Sequence, residues 1–467
     1  MIENKRILIL DGRRDEDTHL DTIYSILLNV LGQKGNTAKW FTLRDITLKQ
    51  CIGCFHCWIA TPGQCIHRTD AGSEIIQNIL ESQILLLFTP VVFGGYSSEI
   101  KKIIDRLLPL LLPFFRFNRR SKETHHPLRY ITIPSFVAIG VQAHLNKEEA
   151  ACFRLLIERN AINYNAPSYA VQVVNNLESE EKIKKRFRRL VLENNNHSFL
   201  VKSLTCSDEN KKIAQERLIK KSRNILFIIG SPKIKTSSTS TALADHLARK
   251  INQDGLVVEL WPLAVHHLAP RNLKQSFLDA INVADSILII FPLYFDSLPY
   301  ILLKTIEHIY SEQDKIQNKQ DKYLAALVNN GFPEAHQNTI ALTICQNFAM
   351  QCGMIWGGGV GMGAGEALIN GQPLTGNRGF GGFWRPSLYS VDQAMNMIAK
   401  ALIQGSPISG KTKQLLARQP VPFISYRGWQ FLFIKIGNLM WKREARKNRL
   451  RMGTLFDKPY EKTDKMK

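Results

Sequence analysis

The sequence has no apolar run of about eighteen residues, the length a helix needs to cross a bilayer, and so offers no obvious membrane span. It passes almost directly into "RILIL" at Arg6–Leu10, without the longer apolar stretch and small-residue cleavage site of a secretory leader. A cytoplasmic protein is the expectation. Zinc-finger spacings and RNP-like patterns are also missing, so the net charge of +21 has no nucleic-acid recognition fold to serve. Cysteine is scarce, with eight in 467 residues. In a reducing cytosol, few and clustered thiols point to metal ligation or redox chemistry ahead of disulfides.

The chain is too long for one ordinary core, and its 45% hydrophobic and 22% charged content is that of a soluble, multidomain globular protein. Its basic charge is uneven. From Lys411 onward there are 15 Lys and Arg against 4 Asp and Glu, and "KIKKRFRR" adds a second basic run at 182–189. Solvated linker and anionic-surface contact are the readings for such segments.

Two segments share one layout. "RILILDG" (Arg6–Gly12) and "NILFIIG" (Asn224–Gly230) are apolar runs that end in Gly and lead through a polar loop into a helical pattern. Further on, "ILLLFTPVVFGGYSSEIKKIIDRL" (84–107) and "SILIIFPLYFDSLPYILLKTIEHI" (286–309) align without a gap, with Pro90 on Pro292 and Phe93 on Phe295. Each reads as a strand, a loop at its C-terminal end and an amphipathic helix, the plan of a parallel α/β sheet. In such sheets ligands bind at those loops. A later strand is expected at "RYITI" (129–133) in the first copy and "KYLAALVNNG" (322–331) in the second. The organisation expected is a domain over 1–178, a charged linker over 179–222, a second domain over 223–405 and a basic aromatic tail over 406–467.

The stretch "CIGCFHCWIATPGQC" places Cys51, Cys54, Cys57 and Cys65 within fifteen residues, and the second copy lacks it. Four thiolates are what a [4Fe–4S] cluster needs, and three on one compact run suit it. Structural zinc more often draws two ligands from each of two knuckles. A cluster, a zinc ion and an empty loop of packed thiols all stay open.

"GSPKIKTSSTSTALADHL" (Gly230–Leu247) resembles the flavin-phosphate loop and following helix of the NAD(P)H-dependent FMN reductase family. The two Pro-aromatic loops resemble that family's second flavin loop, and the cysteine stretch is similar to the motif of its iron–sulfur flavoprotein branch. The resemblance implies two flavodoxin-like, doubly wound, five-stranded parallel sheets in tandem, followed by a basic C-terminal helical tail. It implies FMN as cofactor, NAD(P)H as electron donor and a quinone or other small-molecule acceptor. A phosphate dianion needs helix N-terminal N–H groups and short hydroxyls. Ser231, Lys233, Ser237, Ser238, Thr239 and Ser240 supply these, although a plain N-capped helix carries the same signature.

The flavin ring would lie against Pro292, Leu293, Tyr294, Phe295, Asp296 and Ser297, and against Asn329, Asn330 and Gly331. Thr89, Pro90, Val91, Val92, Phe93 and Gly94 form the corresponding loop of the first copy. Its phosphate loop, "GRRDEDTHLDT" (12–22), sets Asp15, Glu16 and Asp17 where the phosphate should sit, with Arg13 and Arg14 to oppose them. No catalytic acid or base is required. The family habit of pairing subunits suggests an internal pseudo-dimer, or a homodimer, with the cysteine loop of one copy against the flavin of the other. For the tail, "WQFLFIKIGNLMW" (Trp429–Trp441) followed by "KREARKNRLR" reads as a docked helix or as a peripheral contact with an anionic membrane.

Overall fold

The computed structural model describes residues 5–32, 37–119, 121–192, 221–233, 238–252, 255–266, 275–369, 374, 385–419 and 424–461. The chain divides into two units, Met1–Lys202 with Ile434–Lys467, and Ser203–Phe433.

In the first unit the strands are β1 (Arg6–Asp11), β2 (Thr37–Thr42), β3 (Ile84–Val92), β4 (Gly95–Tyr96), β5 (Arg116–Asn118), β6 (Glu123–His125), β7 (Ser135–Gln142) and β8 (Tyr169–Asn175). β1, β3 and β7 are buried along nearly their whole length, as strands covered by helices on both faces must be. They form a parallel sheet in the order β2-β1-β3-β7-β8, with β4 folded back antiparallel on β3 and β5–β6 as a separate hairpin. This order reverses beside β1, so the β1 and β3 loops open on one crevice at the C-terminal edge. The cysteine stretch lies in the crossover from β2 to β3.

Two expectations shift. The strand sought at 129–133 is β7, which starts only after Pro134. A proline cannot donate to a ladder, and Arg129 is drawn away to bond backbone carbonyls elsewhere. The chain expected as linker from 179 begins as a helix, Glu180–Leu192. Its Ile183, Phe187 and Leu190, at helical spacing, join the apolar layer of Leu27, Leu86 and Ile139.

The second unit repeats the plan with β9 (Asn224–Ile229), β10 (Val257–Pro262), β11 (Ser286–Pro292), β12 (Tyr323–Asn329) and β13 (Ile355–Met362). All pairings are parallel, in the order β10-β9-β11-β12-β13. Both sheets are therefore flavodoxin-like. Gly357 on β13 leaves room for the Tyr323 ring, which a side chain would strike, and the Tyr323 hydroxyl donates to the Ser406 carbonyl at 2.8 Å.

The expected tail does not behave as one element. Residues up to Phe433 belong to the second unit and those from Ile434 to the first, the division falling inside the helix Tyr426–Lys447. Trp429 is buried in the second unit, and Trp441 packs on Phe55 and Trp58 in the first. No described helix is long and apolar enough to cross a membrane.

Candidate functional site

Three loops meet at the C-terminal edge of the second sheet. After β9, Gly230 keeps its N–H on Ile290 O at 2.8 Å, and its missing side chain leaves space that Leu302 and Phe291 fill. Ser231 is buried, and its hydroxyl accepts from the Lys233 N–H at 3.4 Å. Ser237 lies outside the described residues. Ser238 caps the helix Thr239–Asn252, accepting from the Thr241 N–H at 3.1 Å, so the capping reading holds for this serine. Thr239 and Ser240 are buried in the first turn. The Lys233 ammonium pairs with Glu366 at 3.4 Å, and that shared charge would be less available to a phosphate.

The second loop follows β11. Tyr294 and Ser297 exchange both backbone hydrogen bonds at 3.0 Å, with Phe295 (φ 48°) and Asp296 (φ 58°) both left-handed between them. This is a tight two-residue turn of the primed type. Aspartate tolerates that conformation; phenylalanine adopts it at a cost of about 1 kcal/mol or more. Leu293 continues from Pro292 by donating its N–H to Asn329 O at 2.8 Å.

The third loop follows β12. The Asn329 amide donates to Ser240 Oγ at 2.8 Å and to Phe291 O at 3.1 Å, joining all three loops. Asn330 is held by the Glu334 carbonyl and by bonds to Met362 and Gly365, with Gly331 beside it at the sheet edge. The expected second-copy residues, Ser237 aside, thus fall on one edge of one sheet.

The first unit keeps one of these loops and has filled another. β3 ends in the same turn, with Phe93 (φ 53°) and Gly94 (φ 85°) left-handed and Val92 paired with Gly95. Thr89, Pro90 and Val91 lead into it, and the Thr89 hydroxyl accepts from the Ser97 N–H at 3.0 Å. At the phosphate position, however, the Arg13 guanidinium is bonded to Asp11 at 2.7 Å, to Asp21, and stacks on the Tyr24 ring at 3.9 Å. Burial opposes the Arg13 charge, but Asp11 outweighs it and holds the pKa above its ordinary value. Arg14 is bonded to Asp17 at 2.8 Å and faces Glu16. Arg14 is thus engaged by two of the carboxylates it was to oppose, and Arg13 by Asp11 and Asp21.

Cys51, Cys54, Cys57 and Cys65 line one small pocket, with Phe55, Ile66, His67, Asp105, Arg106, Leu108 and Pro109 among its other walls. Burial pushes the Cys51 thiol up to about 12, aided by Asp105. Burial and the three other thiols push Cys57 well above its ordinary value. Among the described residues no three His, Cys, Asp or Glu groups converge on a point suited to one ion. The four thiols share one pocket lining, and four is the ligand number of a [4Fe–4S] group. Two pocket residues carry buried nitrogens without a hydrogen-bond partner, Arg106 Nε and His67 Nε2. The Arg106 N–H is a donor of the kind that stabilises sulfur-borne negative charge. Four thiolates match an iron–sulfur group in number and donor type.

Sequence reasoning missed Arg106 and Asp70. Their paired bonds at 2.6 and 3.0 Å, with further Arg106 bonds to the Lys49 and His67 carbonyls, clamp the chain before and after the cysteines. For Arg106 the available signal was Asp105–Arg106 ending an amphipathic helix, which reads equally as solvent-facing charge.

Residues 223–354 match a family profile described as flavodoxin-like fold. An iron–sulfur flavoprotein of Methanocaldococcus jannaschii is 34% identical over 87 residues, 19% of this chain and 44% of its own length. One from Archaeoglobus fulgidus is 23% identical over 115 residues, 25% of this chain and 55% of its own. The chain thus spans about half the length of the curated relatives it matches. Among solved structures, an NAD(P)H:quinone oxidoreductase from Methanothermobacter marburgensis is similar at 11% identity and TM-score 0.32, over 40% of this chain and 97% of that one. An FMN-dependent NADH-azoreductase from Bacillus anthracis is similar at 12% identity and TM-score 0.30, over 40% and 99%.

Proposed function

We propose that this chain is a flavodoxin-like flavoprotein whose second unit binds FMN, and that it is an NAD(P)H-dependent oxidoreductase acting on a quinone or other small acceptor. The observation that carries the reading is the Asn329–Ser240 hydrogen bond, which fastens the expected phosphate loop to the strand end that would meet the flavin ring. Bound there, FMN would supply two-electron and one-electron redox chemistry.

The chain's own part is binding and orientation. Ser240 accepts from Asn329 and so has its own O–H left to donate to a phosphate oxygen. The first-turn N–H groups of the helix Thr239–Asn252 face the same edge of the sheet. The rigid turn Tyr294–Ser297 presents an aromatic wall that does not need to reorganise when a ring stacks on it. In the first unit, Arg13 and Arg14 are already neutralised, and no flavin is assigned there. Anaerobic addition of NADH or NADPH to the purified protein tests the activity: bleaching of bound flavin supports it, and flavin that neither donor reduces contradicts it.

A second reading is favoured by the thiol pocket. With Cys51, Cys54, Cys57 and Cys65 holding a [4Fe–4S] cluster, the protein would exchange single electrons with protein partners without turning over NAD(P)H. Reduction by a protein donor alone would select it.

A further inference from the structure

We propose that the C-terminal segment Gly437–Tyr460 is a strap behind the thiol pocket that holds both arms of the Cys51–Cys65 loop in ligating register; that the loop ligates iron rests on the cluster reading above.

On the near arm, Phe55 lines the pocket in a left-handed conformation (φ 55°) and stacks on Trp58 at 5.2 Å. Trp441 closes over both rings, edge-on at 5.5 Å to Phe55 and 5.2 Å to Trp58. The Trp58 indole donates to the carbonyl of Leu108, itself a pocket wall, at 3.1 Å. On the far arm, Gly63 (φ +80°) is approached so closely by Pro459 that a side-chain carbon there would lie 2.6 Å from the proline ring.

Between these points the strap is fastened to neighbouring chain. Asn438 bonds the backbone of Phe115 twice, at 2.6 and 3.2 Å, and Gly437 lies directly against the Phe115 ring. Arg129 donates to Leu455 O at 2.7 Å and Asp457 O at 2.9 Å, and from its Nε to the pocket residue Pro109 at 2.9 Å. The Tyr460 hydroxyl reaches Ser73 at 3.1 Å.

The geometry explains why such a strap is needed. The cysteine loop belongs to no sheet and contains only the four-residue helix His56–Ile59. A loop of that kind does not offset its own ordering entropy, and buried aromatic contacts from outside it can. The strap reaches the far arm because the helix Tyr426–Lys447 ends, Arg449 beyond it is left-handed at φ 58°, and the chain turns back through Met452–Phe456.

The test uses the full chain, freed of metal, with Trp441→Ala and Asn438→Ala combined. Alkylation by N-ethylmaleimide is followed at each cysteine by mass spectrometry. Labelling at Cys51, Cys54, Cys57 and Cys65 is expected to rise by about tenfold or more, equivalent to ~1.4 kcal/mol of local opening. Cys152, fully buried in the helix Lys147–Asn163, should stay unlabelled and gauges the fold. Iron and sulfide retained after anaerobic reconstitution should fall, with FMN content unchanged. Labelling and iron content equal to wild type would overturn the strap. If Cys152 is labelled as well, Pro459→Ala decides, because it only opens the space above Gly63: faster labelling at Cys65 supports the proposal and an unchanged rate overturns it. A wild-type chain that takes up no iron removes the cluster reading and leaves the labelling comparison intact.

Discussion

The side-chain amide of Asn329 donates to the hydroxyl of Ser240 at 2.8 Å, tying the end of β12 to the first turn of the helix Thr239–Asn252. Removing either partner should loosen the phosphate loop. With Ser240 as the proposed phosphate donor, Ser240→Ala should cost ~1 kcal/mol and raise the FMN Kd by about fivefold. Ser240→Asp sets a carboxylate against a dianion and should raise it by about a hundredfold or more. Fluorescence titration of apoprotein with FMN measures both. Equal affinity in wild type and Ser240→Asp would place the phosphate elsewhere.

At the turn after β11, Asp296 is left-handed at φ 58°. Asp296→Gly should be tolerated, whereas Asp296→Val should lower stability by ~1–2 kcal/mol and weaken flavin binding with it. Chemical denaturation of the two variants checks the order. A valine variant as stable as the glycine variant would show that the turn is not held in this conformation.

For the thiol pocket, Cys57 is the most informative position, since it is buried and faces the other three thiols. Cys57→Ser should abolish iron and sulfide binding while FMN stays bound, because the flavin residues are assigned to the second unit. Metal analysis beside the flavin spectrum reads this. Iron retained at wild-type levels would move the ligand set away from these cysteines.

His126 gives a pH signature. It lies between Trp58 at 4.6 Å and Phe115 at 4.9 Å, and burial lowers its pKa from 6.5 to about 4. The unfolded chain therefore binds the proton first. Stability is fully present above pH ~6.5, falls as the pH drops from there toward 4, and levels off below. His125, lowered to about 4 by burial, adds to the same slope. Unfolding midpoints between pH 7.5 and 4.5 should fall less steeply in His126→Gln than in wild type. Identical slopes would contradict the buried neutral histidine.

The strands were legible because β1, β3, β9 and β11 are continuous apolar runs that have no alternative to burial. Setting Pro90 on Pro292 also aligned Phe93 with Phe295, and both adopt the same left-handed turn. Harder to read were features made by distant partners. The charges of "GRRDED" are visible in sequence, but not that Asp11 and Asp21 close on Arg13. "KIKKRFRR" looks like solvated chain until Ile183 and Phe187 are seen to carry a second face inward. The fastening of Phe115 by Asn438 spans more than three hundred residues, a contact for which no local pattern exists.

We propose one flavin site, in the second unit, reduced by NAD(P)H. An anaerobic absorption spectrum of the purified chain tests it most directly, with flavin, iron and sulfide quantified and NAD(P)H then added. One FMN per chain should bleach on adding the nicotinamide, and iron and sulfide should be lost in Cys57→Ser. A colourless chain, two flavins per chain, or a flavin inert to both nicotinamides would contradict it.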